Sequence, residues 1–249
     1  MKKFLFVFGI AFLFFGYNGF SQRDIQPLLN QANDAYRAGD YNKAYEAYEK
    51  LAQEIKSAEL YYNLGNSAFK MKKLGLAILN YERARKLDPR NPDILENLRY
   101  AKSLIEYRVE DKRNWYFQEL TKLLEFIRLR ECLLILLMIY FVLISSLLIA
   151  LLVKKQIVFG SFGKVLAIGF VIISIPTFVK FHESKLEKQA VVTDTKVEVR
   201  YGPSKNDKLA FGLVEGIEVE IADQIDDWYR VSLRNGDSGW APKEGLSVV

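Results

Sequence analysis

The sequence predicts a multi-domain membrane protein: an all-α helical repeat array, a two-helix transmembrane hairpin and a small all-β barrel. Three observations carry that expectation. Residues 132–153 form an uncharged apolar run, and a second apolar run follows at 165–181. Large and small residues recur with an offset of 33 between residues 25 and 91. After residue 190, short alternating runs are broken by turn residues.

The run from Cys132 to Val153 contains no charge over 22 residues, enough for a helix to cross the ~30 Å hydrocarbon core. The second run, 165–181, carries only Lys180, near its end. The link between them, 154–164, holds Lys154, Lys155 and Lys164. Two spans with so short a link place the flanking domains on one side of the membrane. At the front, Lys2 and Lys3 precede an apolar run from Phe4 to Phe15, and Gly19 and Ser21 are small residues before Gln22. That pattern predicts a signal peptide over 1–21. It places the link in the cytoplasm and both soluble domains in the periplasm of a bacterial inner membrane. Counting Lys and Arg near the spans favours the opposite orientation. The leader takes precedence because it acts first.

Residues 22–106 are the repeat domain. In 58–91, Tyr61, Leu64 and Ala68 share one helical face, and Ala77, Tyr81 and Ala84 share another. Gly65 and Ala77 permit close approach of the two helices. Lys72 and Lys73 sit at the turn, and Asp88-Pro89 stops the second helix. A preceding copy at 25–57 has Leu28, Ala32, Tyr36, Ala44, Tyr48 and Leu51, with Gly39-Asp40 at its turn. A helix over 92–106 would cap the stack. This pattern resembles the tetratricopeptide repeat. By position, the resemblance implies a peptide groove lined by Leu29, Asn33, Tyr36, Tyr62, Asn66 and Phe69, with Asn30 and Asn63 alongside. Carboxamides can bond a peptide from both its N–H and its C=O. Leu29, Asp93 and Asn97 stand where relatives that clamp a carboxylate carry cations, which argues against such a clamp. The alternative is that these residues pack or face solvent.

Residues 107–131 read as a connector helix at the membrane interface, with Trp115, Tyr116, Phe117, Lys122, Arg128 and Arg130 as its amphipathic markers. A helix packed on the array is the other reading. Residues 182–249 follow. Val197 and Val199, Val219 and Ile221, and Trp228 to Leu233 read as strands, with turns at Gly202-Pro203, Glu215-Gly216, Asn235-Gly236 and Ala241-Pro242. The strings Val199-Arg200, Asp227-Trp228-Tyr229-Arg230-Val231 and Gly239-Trp240 resemble the bacterial SH3-like domain. Tyr201, Trp228 and Tyr229 are its candidate ligand surface. Trp228 and Trp240 are alternatively the core of so small a barrel.

No phosphate-binding loop, metalloprotease or nucleophile-elbow motif occurs. One Cys and one His make no zinc site. Asp223, Asp226 and Asp227 read as a solvated turn. The expectation is a protein that is not an enzyme and has no catalytic residues, metal or cofactor. The order of segments resembles the tetratricopeptide component encoded in the aerotolerance operon of Bacteroidetes. That resemblance implies membrane-anchored von Willebrand A-domain partners, a MoxR-type ATPase nearby and contact with membrane lipid. The function expected is a scaffold that binds protein partners through the groove. The alternative is an envelope sensor whose barrel binds peptidoglycan. The mild net charge of +5 argues against nucleic acid.

Overall fold

The computed structural model describes residues 22–107, 109–112, 114–116, 118–119, 129–153, 168–175, 177–178 and 188–249. Five helices come first: α1 (Gln22–Arg37), α2 (Tyr41–Glu54), α3 (Ala58–Lys70), α4 (Leu74–Leu87) and α5 (Pro92–Ser103). They alternate in direction through short turns, and α1·α2, α2·α3, α3·α4 and α4·α5 pack in succession. Gly39 closes the first turn at φ +81°, a conformation that suits glycine. The Asp40 carboxylate accepts from Lys43 N and caps α2, and Asn91 Oδ1 accepts from Asp93 N and Ile94 N to cap α5.

Gly65 explains how close α3 and α4 lie. A methyl group there would sit 2.5 Å from the Tyr81 ring. Ala32, Ala44, Tyr48 and Leu64 form one core, and Ala68, Ala77, Ile78, Tyr81 and Leu98 the next. Both halves of the expected repeat are therefore present, with α5 in the expected capping position.

Seven strands follow: β1 (Lys188–Val192), β2 (Lys196–Arg200), β3 (Leu209–Val214), β4 (Glu218–Ile225), β5 (Trp228–Ser232), β6 (Ser238–Pro242) and β7 (Leu246–Val248). They form one antiparallel sheet in the order β3-β2-β6-β5-β4-β1-β7. Its core is aliphatic: Val192, Val197, Val199, Leu213, Ile217, Val219, Val231 and Leu246. Trp228 and Trp240 are only partly buried and lie outside that core, which corrects their reading as core. The reason is the period of two along a strand. Val231 and Ala241 take the inward positions, and Trp228 and Trp240 fall on the other phase.

The barrel is docked on the array. Val191 of β1 belongs to the same core as Ala77 and Leu98, and Ile105 touches both cores. Gly75, in the first turn of α4, faces the barrel backbone at Val192 and Thr193, where a methyl would lie 3.0 Å from Thr193 Cα. Gly216 turns at φ +89° directly over Ile78 and Ile105. The Glu215 carboxylate accepts from Gly75 N at 2.7 Å, supplying α4 with a cap that Lys73 does not provide. A carboxylate there also meets the positive end of the helix.

The membrane part of the expected fold is overturned. Among the described residues no helix is long and apolar enough to cross a membrane, so the transmembrane hairpin is not found. Helix α6 occupies Leu129–Val153. Within the second expected span, residues 168–175 and 177–178 are helical. What stands is a helical array with an all-β domain. The expected signal peptide (1–21), the link (154–164) and residues 108, 113, 117 and 120–128 of the connector lie outside the described residues. The connector's first part leans on the barrel: Val109 packs against the barrel core, and Lys112 N donates to Arg234 O at 3.3 Å.

Candidate functional site

The face lined by α1, α3 and α5 is built from asparagine and tyrosine. Tyr48 Oη donates to Asn33 Oδ1 at 2.6 Å, and Tyr81 Oη donates to Asn66 Oδ1 at 2.8 Å. The two bonds are the same bond in successive repeats: each joins the first helix of a repeat to the second and spans 15 residues. Asn97 Nδ2 donates to Asn66 Oδ1 at 3.0 Å and to Tyr62 Oη at 3.1 Å, tying α5 to α3. The Tyr62 and Tyr81 rings lie 6.0 Å apart, and Phe69 and Tyr100 5.7 Å apart. Burial pushes the Tyr81 phenol up; the nearby Tyr62 and Tyr36 phenols add to this and the Asn97 hydrogen bond opposes it. Tyr81 is therefore a fixed donor throughout the physiological range.

Asn33, Tyr36, Tyr62, Asn63, Asn66 and Phe69 are all half-buried and lie on α1 and α3. The structure brings Tyr62, Asn66 and Asn97 into one network. Tyr36 packs edge-on to Tyr41 of the next helix at 5.3 Å. Asn97 and Tyr100 extend this face onto α5. A signal for Asn97 was present: Tyr62 and Asn97 are 35 residues apart, as are Tyr45 and Asn80, whose side chains also bond.

On the barrel, Tyr201, Trp228 and Tyr229 are not gathered on one face. Tyr229 packs against the inner core, with the Lys243 ammonium 5.1 Å from its ring centre. Tyr201 is 68% exposed beyond the end of β2. Trp228 sits instead on the outer phase, in register with Pro242, beside a row in which Arg230, Trp240 and Arg200 are cross-strand neighbours. Sequence reading took Trp228-Tyr229 as a pair; strand alternation separates them.

Where the two domains meet, Glu82 is 2% exposed and its carboxylate contacts Arg85 Nη2 at 2.7 Å and Lys102 Nζ at 2.6 Å. Lys102 Nζ also contacts Glu218 of β4 at 2.6 Å, and Arg234 lies 3.6 Å from Glu218. Burial alone would raise the Glu82 pKa, but the Lys102 and Arg85 charges outweigh it and hold the carboxyl well below its usual range. Burial raises that of Glu218; the Glu82 charge adds to the rise, and Lys102 offsets only part of it. Burial would lower the Lys102 pKa, but the two carboxylates raise it above the usual ammonium value. This arrangement is a structural ion cluster. Among the described residues no group of His, Cys, Asp and Glu is placed to hold a metal.

Comparison with protein families matches a tetratricopeptide repeat over residues 58–91 and a bacterial SH3 domain over residues 193–247. The chain carries both modules. The first match covers α3 and α4, and the second runs from just after β1 into β7. No match was found among curated proteins. Tetratricopeptide repeats point to protein–protein interaction, and bacterial SH3 domains to cell-wall binding. The 25–57 copy rests on the structure: it repeats the Asn–Tyr bond of the matched unit at an offset of 33.

Proposed function

We propose that the protein is a non-enzymatic scaffold that holds an extended segment of a partner protein against the α1, α3 and α5 face. One observation carries this reading. Tyr48 and Tyr81 pin the Oδ1 atoms of Asn33 and Asn66. Each carboxamide is thereby fixed before any ligand arrives, and its Nδ2 is left to donate to a peptide carbonyl. Preorganised donors at a regular interval suit a peptide backbone, because less side-chain freedom is lost on binding.

The test keeps the pin and removes the donor. Asn33→Asp with Asn66→Asp retains an oxygen for each tyrosine and deletes both Nδ2 groups. Crosslinking from Phe69 in the full chain should recover a partner in the parent and lose it in the double variant. Equal recovery, with thermal unfolding unchanged, would overturn the reading. The working place proposed is the periplasmic side of the bacterial inner membrane, supported by the leader-like first residues and the cell-wall-type SH3 module. Von Willebrand A-domain proteins are the partner class that the aerotolerance resemblance suggests.

A second reading is favoured by the outer row Trp228, Arg230, Trp240 and Arg200. Indole rings beside the Arg230 guanidinium suit a cell-wall fragment that carries carboxylates; the Arg200 guanidinium is itself held by Glu198 and the Asp207 carbonyl. Sedimentation of the full chain with purified peptidoglycan, against Trp240→Ala, measures this. The full chain is needed because Val191 and Gly216 are packed into the array.

A further inference from the structure

Three carboxamides on the groove face have their oxygens engaged and their N–H groups left over. Asn33 Oδ1 accepts from Tyr48, and Asn30 Oδ1 accepts from Gln26 Nε2 at 3.1 Å. Asn66 Oδ1 accepts twice, from Tyr81 and from Asn97, which fills both of its acceptor positions. Among the described residues nothing accepts from Nδ2 of Asn30, Asn33 or Asn66, and none of the three is a buried orphan, so each is open to solvent. The hydrogen bonds within the array thus bias these amides towards donation.

The lining around these donors is aromatic. Tyr36, Tyr62 and Phe69 are half-buried, and Tyr100, whose ring lies beside Phe69, is 58% exposed. Burial pushes the Tyr36 phenol up, and the Tyr41 and Tyr62 phenols add to this, so the rings of α1 and α3 lie near one another and Tyr36 keeps its proton to donate.

An ordinary extended peptide carries an N–H for every C=O. Against a donor-rich lining those N–H groups lose water and gain no acceptor, which weakens binding. Proline has the carbonyl without the N–H, and an apolar ring suited to aromatic faces. A proline-rich segment also holds the polyproline II conformation before it binds, so little chain freedom is lost. Aromatic-lined grooves are a recurring surface for such segments. The side-chain oxygens of Asn63 and Asn97 have no partner among the described residues and accommodate the N–H of an occasional residue between prolines.

We propose that the segment held in the groove is proline-rich and in the polyproline II conformation, with its carbonyls on Nδ2 of Asn33 and Asn66 and its rings on Tyr62, Phe69 and Tyr100. This inference rests on the reading of the face as a peptide groove and names the chemistry of the partner segment.

The test is calorimetry on the full chain with two uncharged peptides of equal length, acetylated and amidated at their ends. One is three Pro-Pro-Ala triplets and the other three Gly-Ser-Ala triplets. The proline peptide should bind saturably and the glycine–serine peptide at least about tenfold more weakly. Asn33→Asp with Asn66→Asp should weaken the proline peptide by a similar factor. Tyr100→Ala, at an exposed position, should weaken it several-fold through the lost ring contact. No saturable proline binding, equal binding of the two peptides, or unchanged proline binding in either variant would each overturn the proposal. If the proline peptide fails while crosslinking from Phe69 still depends on Asn33 and Asn66, this proposal falls and the scaffold reading stands. If that dependence is absent too, both fall. The two-peptide comparison needs no variant, so a folding defect in either variant leaves the test intact.

Discussion

Replacing Lys102 with methionine removes the one cation that lies between Glu82 and Glu218 at 2.6 Å from each. Methionine has a similar stem, so packing is largely kept. Glu82, 2% exposed, would retain Arg85 at 2.7 Å, and Glu218 would retain, among the described residues, the more distant Arg234 at 3.6 Å. Breaking a buried ion pair from one side costs about 3–5 kcal/mol, because the remaining charge is left desolvated. Arg85 still partners Glu82, which places the expected loss near the lower end, about 3 kcal/mol. For a chain of this size that lowers Tm by roughly 6–12 °C. Chemical denaturation followed by circular dichroism measures it. The variant Glu82→Gln, Lys102→Met, Glu218→Gln removes every uncompensated charge among the three and should recover most of the loss, since neutral replacements of buried ion pairs are often tolerated. A loss below about 1 kcal/mol for Lys102→Met alone would refute the reasoning. So would a triple variant as unstable as the single one.

Three further outcomes are expected. Glu215→Ala deletes the carboxylate on Gly75 N and should cost about 1 kcal/mol, with faster amide exchange confined to the first turn of α4. Gly65→Ala places a methyl 2.5 Å from the Tyr81 ring and should cost about 1–3 kcal/mol in urea unfolding, since neither helix can back away without opening the repeat core. The pH dependence of stability has two parts of opposite sign. The folded Glu82 pKa lies below its ordinary 4.5, so its contribution is complete above that pH and is lost as pH falls below it. The folded Glu218 pKa lies above 4.5, so folding gains stability as pH drops from neutral towards 4.5. Urea titrations from pH 2 to 7 should show Glu82→Gln flattening the acid limb and Glu218→Gln flattening the neutral one.

The helical repeat was legible in the sequence because its determinants are local. Gly65 opposite Tyr81, alanines at one helical spacing and Pro89 after Asp88 each act within a single helix pair. The groove face was legible in type, as asparagine and tyrosine, but not in wiring. Oδ1 of Asn66 serves both Tyr81 and Asn97, which needs α5 to be in place. On the barrel, residue types marked the strands, yet the phase of Trp228 and Trp240 was misread. Aromatic size alone suggests core, and only the register with Arg230 and Pro242 shows the outward side. Hydropathy over 132–181 measured apolar length and suggested two membrane spans; no such helix occurs among the described residues.

The sequence by itself determined the repeat period, the strand alternation and the turns, because each depends on residues a few positions apart. Only the tertiary structure decided that the barrel closes against α4. Gly75 and Glu215 are 140 residues apart, and no local pattern marks that one caps the helix begun by the other. Nor does periodicity tell which surface covers an apolar face. That depends on shape and charge meeting across the fold, as when Val191 enters the core of the array and Lys102 joins carboxylates from both domains.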